Sequence, residues 1–165
     1  MLSELQQKRV WEGRLSSEIR ANYFADLSGG YHRKQHRVTW AMIVLSSSAA
    51  GAFVASFPSK YAWVAPTLSL LTAALSGYSL AVQNHKSAID SADLYVRWSK
   101  LASEYELLWD NMYAEQAKDK LAELTESAIE LSKIATAFPV IEKRLLKWQD
   151  YVEQQHAAGV HALGA

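Results

Sequence analysis

The chain has no cysteine among its 165 residues, which excludes a disulfide framework, a thiolate nucleophile and a cysteine zinc site. The absence of thiols assigns no compartment, although it suits a reducing cytosol. Proline is scarce: Pro58, Pro66 and Pro139 are the only three, so long helical stretches go unbroken. Net charge is also missing, with 17 Lys/Arg against 17 Asp/Glu, and no polyelectrolyte partner such as duplex nucleic acid is implied. The sequence holds no GxxxxGK[ST], GxGxxG or GxSxG motif, so the usual phosphate loop, dinucleotide turn and nucleophile elbow are absent. The opening "MLSELQQKRVWEGRL" lacks the apolar stretch of a cleaved signal peptide. His32 and His36 lie four apart without a third ligand at a recognised spacing, and two ligands are too few for a structural zinc. The acid pairs Glu104/Glu106 and Asp90/Asp93 read as solvated helix faces. No catalytic constellation, cofactor motif or metal site emerges, and the chain is read as a non-enzyme.

Charge is missing locally as well. Behind the basic "HRKQHR", residues 38–59 carry no Asp, Glu, Lys, Arg or His, and after Lys60 the same holds for residues 61–84. A helix crosses a bilayer core of roughly 30 Å in about 20 residues. The sequence therefore predicts a two-helix transmembrane hairpin, with spans at about 38–57 and 63–84 and a tight turn at Pro58, Ser59 and Lys60. Trp40, Tyr61 and Trp63 fall near the segment ends, where amphipathic rings favour headgroups. The competing reading is a buried helical hairpin, since both segments are rich in Ala, Ser and Thr. Cations flank the hairpin on its outer sides, at Arg33, Lys34 and Arg37 and at Lys86, Arg97 and Lys100. That distribution predicts a multi-pass inner-membrane protein with both termini in the cytoplasm.

Within the second segment, Ser69, Thr72, Ser76, Ser79 and Gln83 follow steps of 3, 4, 3 and 4 and share one helix face. Such a hydroxyl stripe either lines a wet pore or satisfies its own backbone and lets helices pack closely, as Ala73-x-x-x-Gly77 and Ser47-x-x-x-Gly51 also suggest. Two helices enclose no conduit, so the pore reading demands a homo-oligomer, a tetramer or larger, in contact with membrane lipid.

The remainder reads as an all-α bundle. Ser3 and Gln6 fit a capping box, and Trp11, Leu15, Ile19, Tyr23 and Leu27 recur at steps of four before Ser28-Gly29-Gly30, an expected helix stop. Leu94, Trp98, Leu101, Tyr105, Leu108 and Met112 form a 4-3-4-3-4 seam, the spacing of a bundle or oligomer interface. Further seams run through Leu121, Leu124, Ala128, Leu131, Ala135 and Phe138, and through Ile141, Leu145, Trp148 and Val152. If the second span runs on into the Leu94 seam, the two form a rod of roughly 49 residues, about 73 Å. The expected organisation is a cytosolic helix (1–30), a juxtamembrane segment and hairpin (31–86), a cytosolic bundle (87–155) and a flexible tail (156–165).

The basic run Arg33, Lys34, His36 and Arg37 supports two readings. It anchors to anionic lipid, or with Arg14, Arg20 and nearby Tyr and Trp rings it holds a phosphate-rich ligand whose bases stack on the aromatics.

The order "WEGRLSSEIRANYF", "YHRKQHRVTW", a two-span hairpin with a tiny turn, and "SADLYVRWSKLASEYELLW" resembles the SLATT family, over nearly the whole chain. The resemblance implies a two-span effector of bacterial anti-phage defence. Such an effector oligomerises, forms an ion channel or pore and causes depolarisation, growth arrest or cell death. It answers a nucleotide or oligonucleotide signal made by a partner nucleotidyltransferase. The alternative is a membrane-anchored scaffold whose helical bundle recruits a partner without any pore. Neither reading fixes whether the ligand opens or restrains the effector.

Overall fold

The computed structural model describes residues 1–46, 63–82 and 84–163. Every regular element among them is an α-helix: α1 (Glu4–Ser46), α2 (Val64–Val82), α3 (Asn84–Asp110), α4 (Ala117–Ala135) and α5 (Glu142–Leu163). The chain forms two compact units, one from Met1–Leu27 with Asp90–Ala165, the other from Ser28–Ile89.

Helix α1 starts as its capping box dictates. The Ser3 N–H donates to Gln6 Oε1 (2.9 Å) and the Gln6 N–H to Ser3 Oγ (3.4 Å), so two orphan donors are satisfied reciprocally. The helix then continues through Ser28-Gly29-Gly30 to Ser46, past the expected stop. Glycine in a helix costs only about 1 kcal/mol relative to alanine, and it does not forbid the next turn as proline does. Ser28 is itself buried, its hydroxyl donating to the Ala88 carbonyl at 2.9 Å. Tertiary packing here outweighs local propensity.

The first unit is a four-helix arrangement. Contacts Gly13–Tyr105 and Arg20–Trp98 set α3 antiparallel to α1. Pairs Asp26–Arg144 and Glu18–His156 do the same for α5. Arg20–Ser132, with Phe24–Phe138 just past its end, runs α4 parallel to α1. The seam on α3 is the centre of the core: Leu94, Trp98, Leu101, Tyr105 and Leu108 are all buried. Leu121, Leu124 and Leu131 of α4 and Val152 of α5 complete it. On α1 the buried face is Val10, Ser17, Ala21, Tyr23, Phe24 and Leu27. Trp11, Leu15 and Ile19, expected on that face, are only partly covered. Helix α5 runs to Leu163, and His156 Nε2 lies 2.8 Å from Glu18 Oε2.

Burial raises the pKa of Tyr105 above its usual value of 10.0, partly offset by a hydrogen bond with Thr125. The folded chain therefore holds that proton more tightly than the unfolded chain does. The contribution is intact below pH 10 and is lost as pH rises through the higher folded value. Unfolding midpoints measured from pH 8 to 11.5 should fall at the alkaline end, and Tyr105→Phe should fall less steeply. Parallel curves would show that Tyr105 does not titrate in this way.

The two-span membrane hairpin is not borne out. Among the described residues no helix is long and apolar enough to cross a membrane. Of the expected first span, residues 38–46 are the last turns of α1, and 47–57 lie outside the described residues with the turn at 58–62. The expected second span corresponds to α2, whose 19 residues include Thr67, Ser69, Thr72, Ser76, Gly77 and Ser79. Freedom from charge is not apolarity: hydroxyls dilute the transfer energy that insertion requires. The transmembrane, pore-forming and multi-pass inner-membrane expectations, with their assigned topology, are overturned with the hairpin. In the second unit, Trp40, Ile43 and Val44 of α1 and Leu70, Leu71 and Tyr78 of α2 are exposed. The helices meet where the Ser76 oxygen lies 3.6 Å from Met42 Sδ.

Candidate functional site

Arg20 leaves α1 on the side facing α3 and α4. Its guanidinium lies over the Trp98 ring, 4.7 Å from the centroid, and donates from Nη1 to Ser132 Oγ at 2.5 Å. It has no ion pair among the described residues, and burial lowers its pKa below the usual value. A partly desolvated cation without a counter-charge is an unsatisfied charge held in place. Around it opens a cavity of about 390 Å³, lined by Gly13, Ser16, Ser17, Arg20, Trp98, Thr125, Ala128, Ile129, Ser132, Lys133 and Thr136. No carboxylate appears in that lining. Lys133, the second cation on the wall, is also without an ion pair among the described residues.

The donors available to a ligand can be counted. Ser17, Thr125, Ser132 and Thr136 spend their hydroxyl protons on backbone carbonyls of Gly13, Leu121, Ala128 and Lys133. They shape the wall and can accept. Arg20 and Lys133 remain as cationic donors and the Ser16 hydroxyl as a neutral one; the Trp98 Nε1–H has no hydrogen-bond partner but is itself buried. Such an arrangement suits an anion with several acceptor oxygens, a phosphate above all. Charge-assisted bonds of this kind are roughly twice as strong as neutral ones.

The sequence-predicted ligand residues separate. Arg20 occupies the cavity. Arg14 does not: its Nη2 bonds Glu106 Oε1 at 2.8 Å, and its guanidinium sits 5.7 Å from the Trp11 ring centroid. Arg33, Lys34, His36 and Arg37 belong to the Ser28–Ile89 unit and are exposed. Of the hydroxyl stripe on α2, Ser69 is exposed, while Thr72, Ser76 and Ser79 are half-buried. Thr72 and Ser76 donate to the carbonyls four residues back, Leu68 and Thr72, as the packing reading expects. Gln83 lies outside the described residues. Of the α3 seam, Leu94 to Leu108 pack inside the bundle, and Met112 lies in the turn after it.

Trp98, Ser132 and Lys133 were not legible as ligand residues. Trp98 reads as a seam position, and Lys133 as one of several surface lysines. Among the described residues no group of three or more His, Cys, Asp or Glu could hold a metal ion. Comparison with known proteins supplies no relative: no family model, curated protein or solved structure matches the chain.

Proposed function

We propose that the protein is a signal-responsive effector whose helical bundle binds a phosphate-bearing ligand in the Arg20 cavity. The observation that carries this reading is Arg20 itself, a half-buried guanidinium stacked on Trp98 and left without a carboxylate in a cavity with a second unpaired cation. The SLATT-like order of the sequence supports a nucleotide-type signal made by a partner nucleotidyltransferase, and a role in bacterial anti-phage defence ending in growth arrest. A membrane pore is no part of the proposal.

Helix α1 carries Arg20 in the first unit and continues without a break to Ser46 in the second. A ligand that prefers one conformation of the first unit shifts the population toward it, by no more than its difference in affinity for the two states.

Thermal unfolding with nucleotides and short oligonucleotides tests the reading. A ligand at a hundred times its Kd should stabilise the fold by about 2.7 kcal/mol. Arg20→Ala should abolish the shift for that same ligand. An undiminished shift in Arg20→Ala would place the ligand elsewhere, and the absence of any shift would sink the proposal. In cells, Arg20→Ala should also remove growth arrest triggered by the partner enzyme.

A further inference from the structure

Beside the Arg20 cavity lies a second one, of about 250 Å³, which shares Arg20 in its lining. Arg20, Ser132 and Thr136 line both. The remaining wall is aromatic and aliphatic: Tyr23, Phe24, Phe138, Pro139 and Leu145 among others. Phe24 and Phe138 meet edge to face at 5.7 Å between centroids, and Tyr23 meets Phe24 at 5.3 Å. The Tyr23 hydroxyl fixes the far wall, donating to the Pro139 carbonyl (2.7 Å) and accepting from the Ile141 N–H (3.1 Å). Arg20 is thus shared by a compartment with cationic donors and one whose lining is mostly apolar, with no carboxylate in either.

We infer that the two compartments together take a small phosphate ester carrying one flat ring. Its phosphate lies between Arg20 and Lys133, and its ring sits against Phe24 and Phe138. This rests on the phosphate-binding reading above and narrows it. Two cations match a single phosphate group rather than a run of them. The combined space is that of one drug-sized ligand, for which cavities of roughly 300–1,000 Å³ are usual. Edge-to-face aromatic walls favour a planar ring over a flexible chain. Nucleoside monophosphates and simple aryl phosphates share this chemistry.

Calorimetric titration of the full chain separates these terms with five probes: inorganic phosphate, butyl phosphate, phenyl phosphate, adenosine 5′-monophosphate and a tetranucleotide. Both ring-bearing monophosphates should bind at least tenfold tighter than inorganic or butyl phosphate, and the tetranucleotide should bind no tighter than the mononucleotide. Equal affinity of the two ring-bearing probes would point to any flat ring, and a preference for the mononucleotide to a base; either supports the inference. Phe138→Ala should erase the ring advantage while leaving inorganic phosphate unchanged. Should Phe138→Ala unfold, Ala135→Phe, which fills the same compartment, reads the same quantity. If all phosphates bind equally and depend on Arg20, the ring compartment is refuted while the phosphate reading stands. If no phosphate binds, both fail.

Discussion

Trp98→Ala should lower the unfolding free energy by about 3–5 kcal/mol, the range for removing a fully buried large aromatic. Trp98 is only 1% exposed and stands where α1, α3 and α4 converge, with Arg20 on its ring face. Truncation removes the core volume and the cation–π partner together, and leaves the guanidinium without its ring support. Urea denaturation should therefore show an earlier midpoint with little change in slope, and the phosphate-dependent stabilisation should vanish at the same time. Trp98→Phe separates the two effects, because it keeps most of the buried ring but offers Arg20 a weaker cation–π face. That variant should retain most of the stability and still weaken the phosphate response. A loss below about 1 kcal/mol for Trp98→Ala would show that the site collapses freely, and the convergence at Trp98 would not be the centre of the core.

The second large effect is expected at Gly13, where the sign of the prediction runs against helix propensity. In an exposed helix, Gly→Ala stabilises by about 1 kcal/mol. Here a methyl group built on Gly13 would lie 2.6 Å from Tyr105 Cζ and 2.7 Å from Cε1. Tyr105 is 3% exposed, so its ring has little room to yield. Overpacking of this kind costs about 1–3 kcal/mol, which exceeds the propensity gain. Gly13→Ala should lower the melting temperature, and Gly13→Val should lower it further. The double variant Gly13→Ala/Tyr105→Leu should recover part of the loss, with a coupling of about 0.5–3 kcal/mol expected for residues in contact. A melting temperature raised by Gly13→Ala alone would show that the ring moves aside without cost.

The residues that were hard to read explain why the sequence and the structure agree only in part. The Leu94–Leu108 seam was legible because bulky apolar residues repeat every 3.5 positions and are buried as that spacing requires. The buried face of α1 was not, because Ser17 and Ala21 hold part of it and the Gly13 approach lies beside them. Close approach selects small residues, and small residues look like nothing in a hydropathy pattern. Trp11, Leu15 and Ile19 drew attention by their size and steps of four, yet a face of that kind drifts around a helix of 3.6 residues per turn. The hairpin was misread for the reverse reason, since long stretches without charge resemble spans until their hydroxyls are weighed. Of the site, Arg20 was accessible from charge and aromatic neighbours. Its partners Trp98 and Ser132 lie far along the chain, Ser132 by 112 positions, and only the fold brings them to it.

The first unit is interrupted: its opening 27 residues find their partners only after Asp90. Glu18 meets His156 across 138 positions, and Tyr23 meets Pro139 across 116. On a ribosome, the buried face of early α1 emerges long before α4 and α5 exist to cover it. Contacts of such long range slow folding, since loop closure must precede the contacts that reward it. Meanwhile α1 beyond Ser28 meets α2 across only 34 positions, at Met42 and Ser76, so the Ser28–Ile89 unit is positioned to assemble first. A nascent chain halted before α5 would thus leave Trp11, Glu18 and Asp26 without their partners on that helix. Synthesis of α5 is the step that ends this exposure, which makes the order of synthesis part of how this fold is reached.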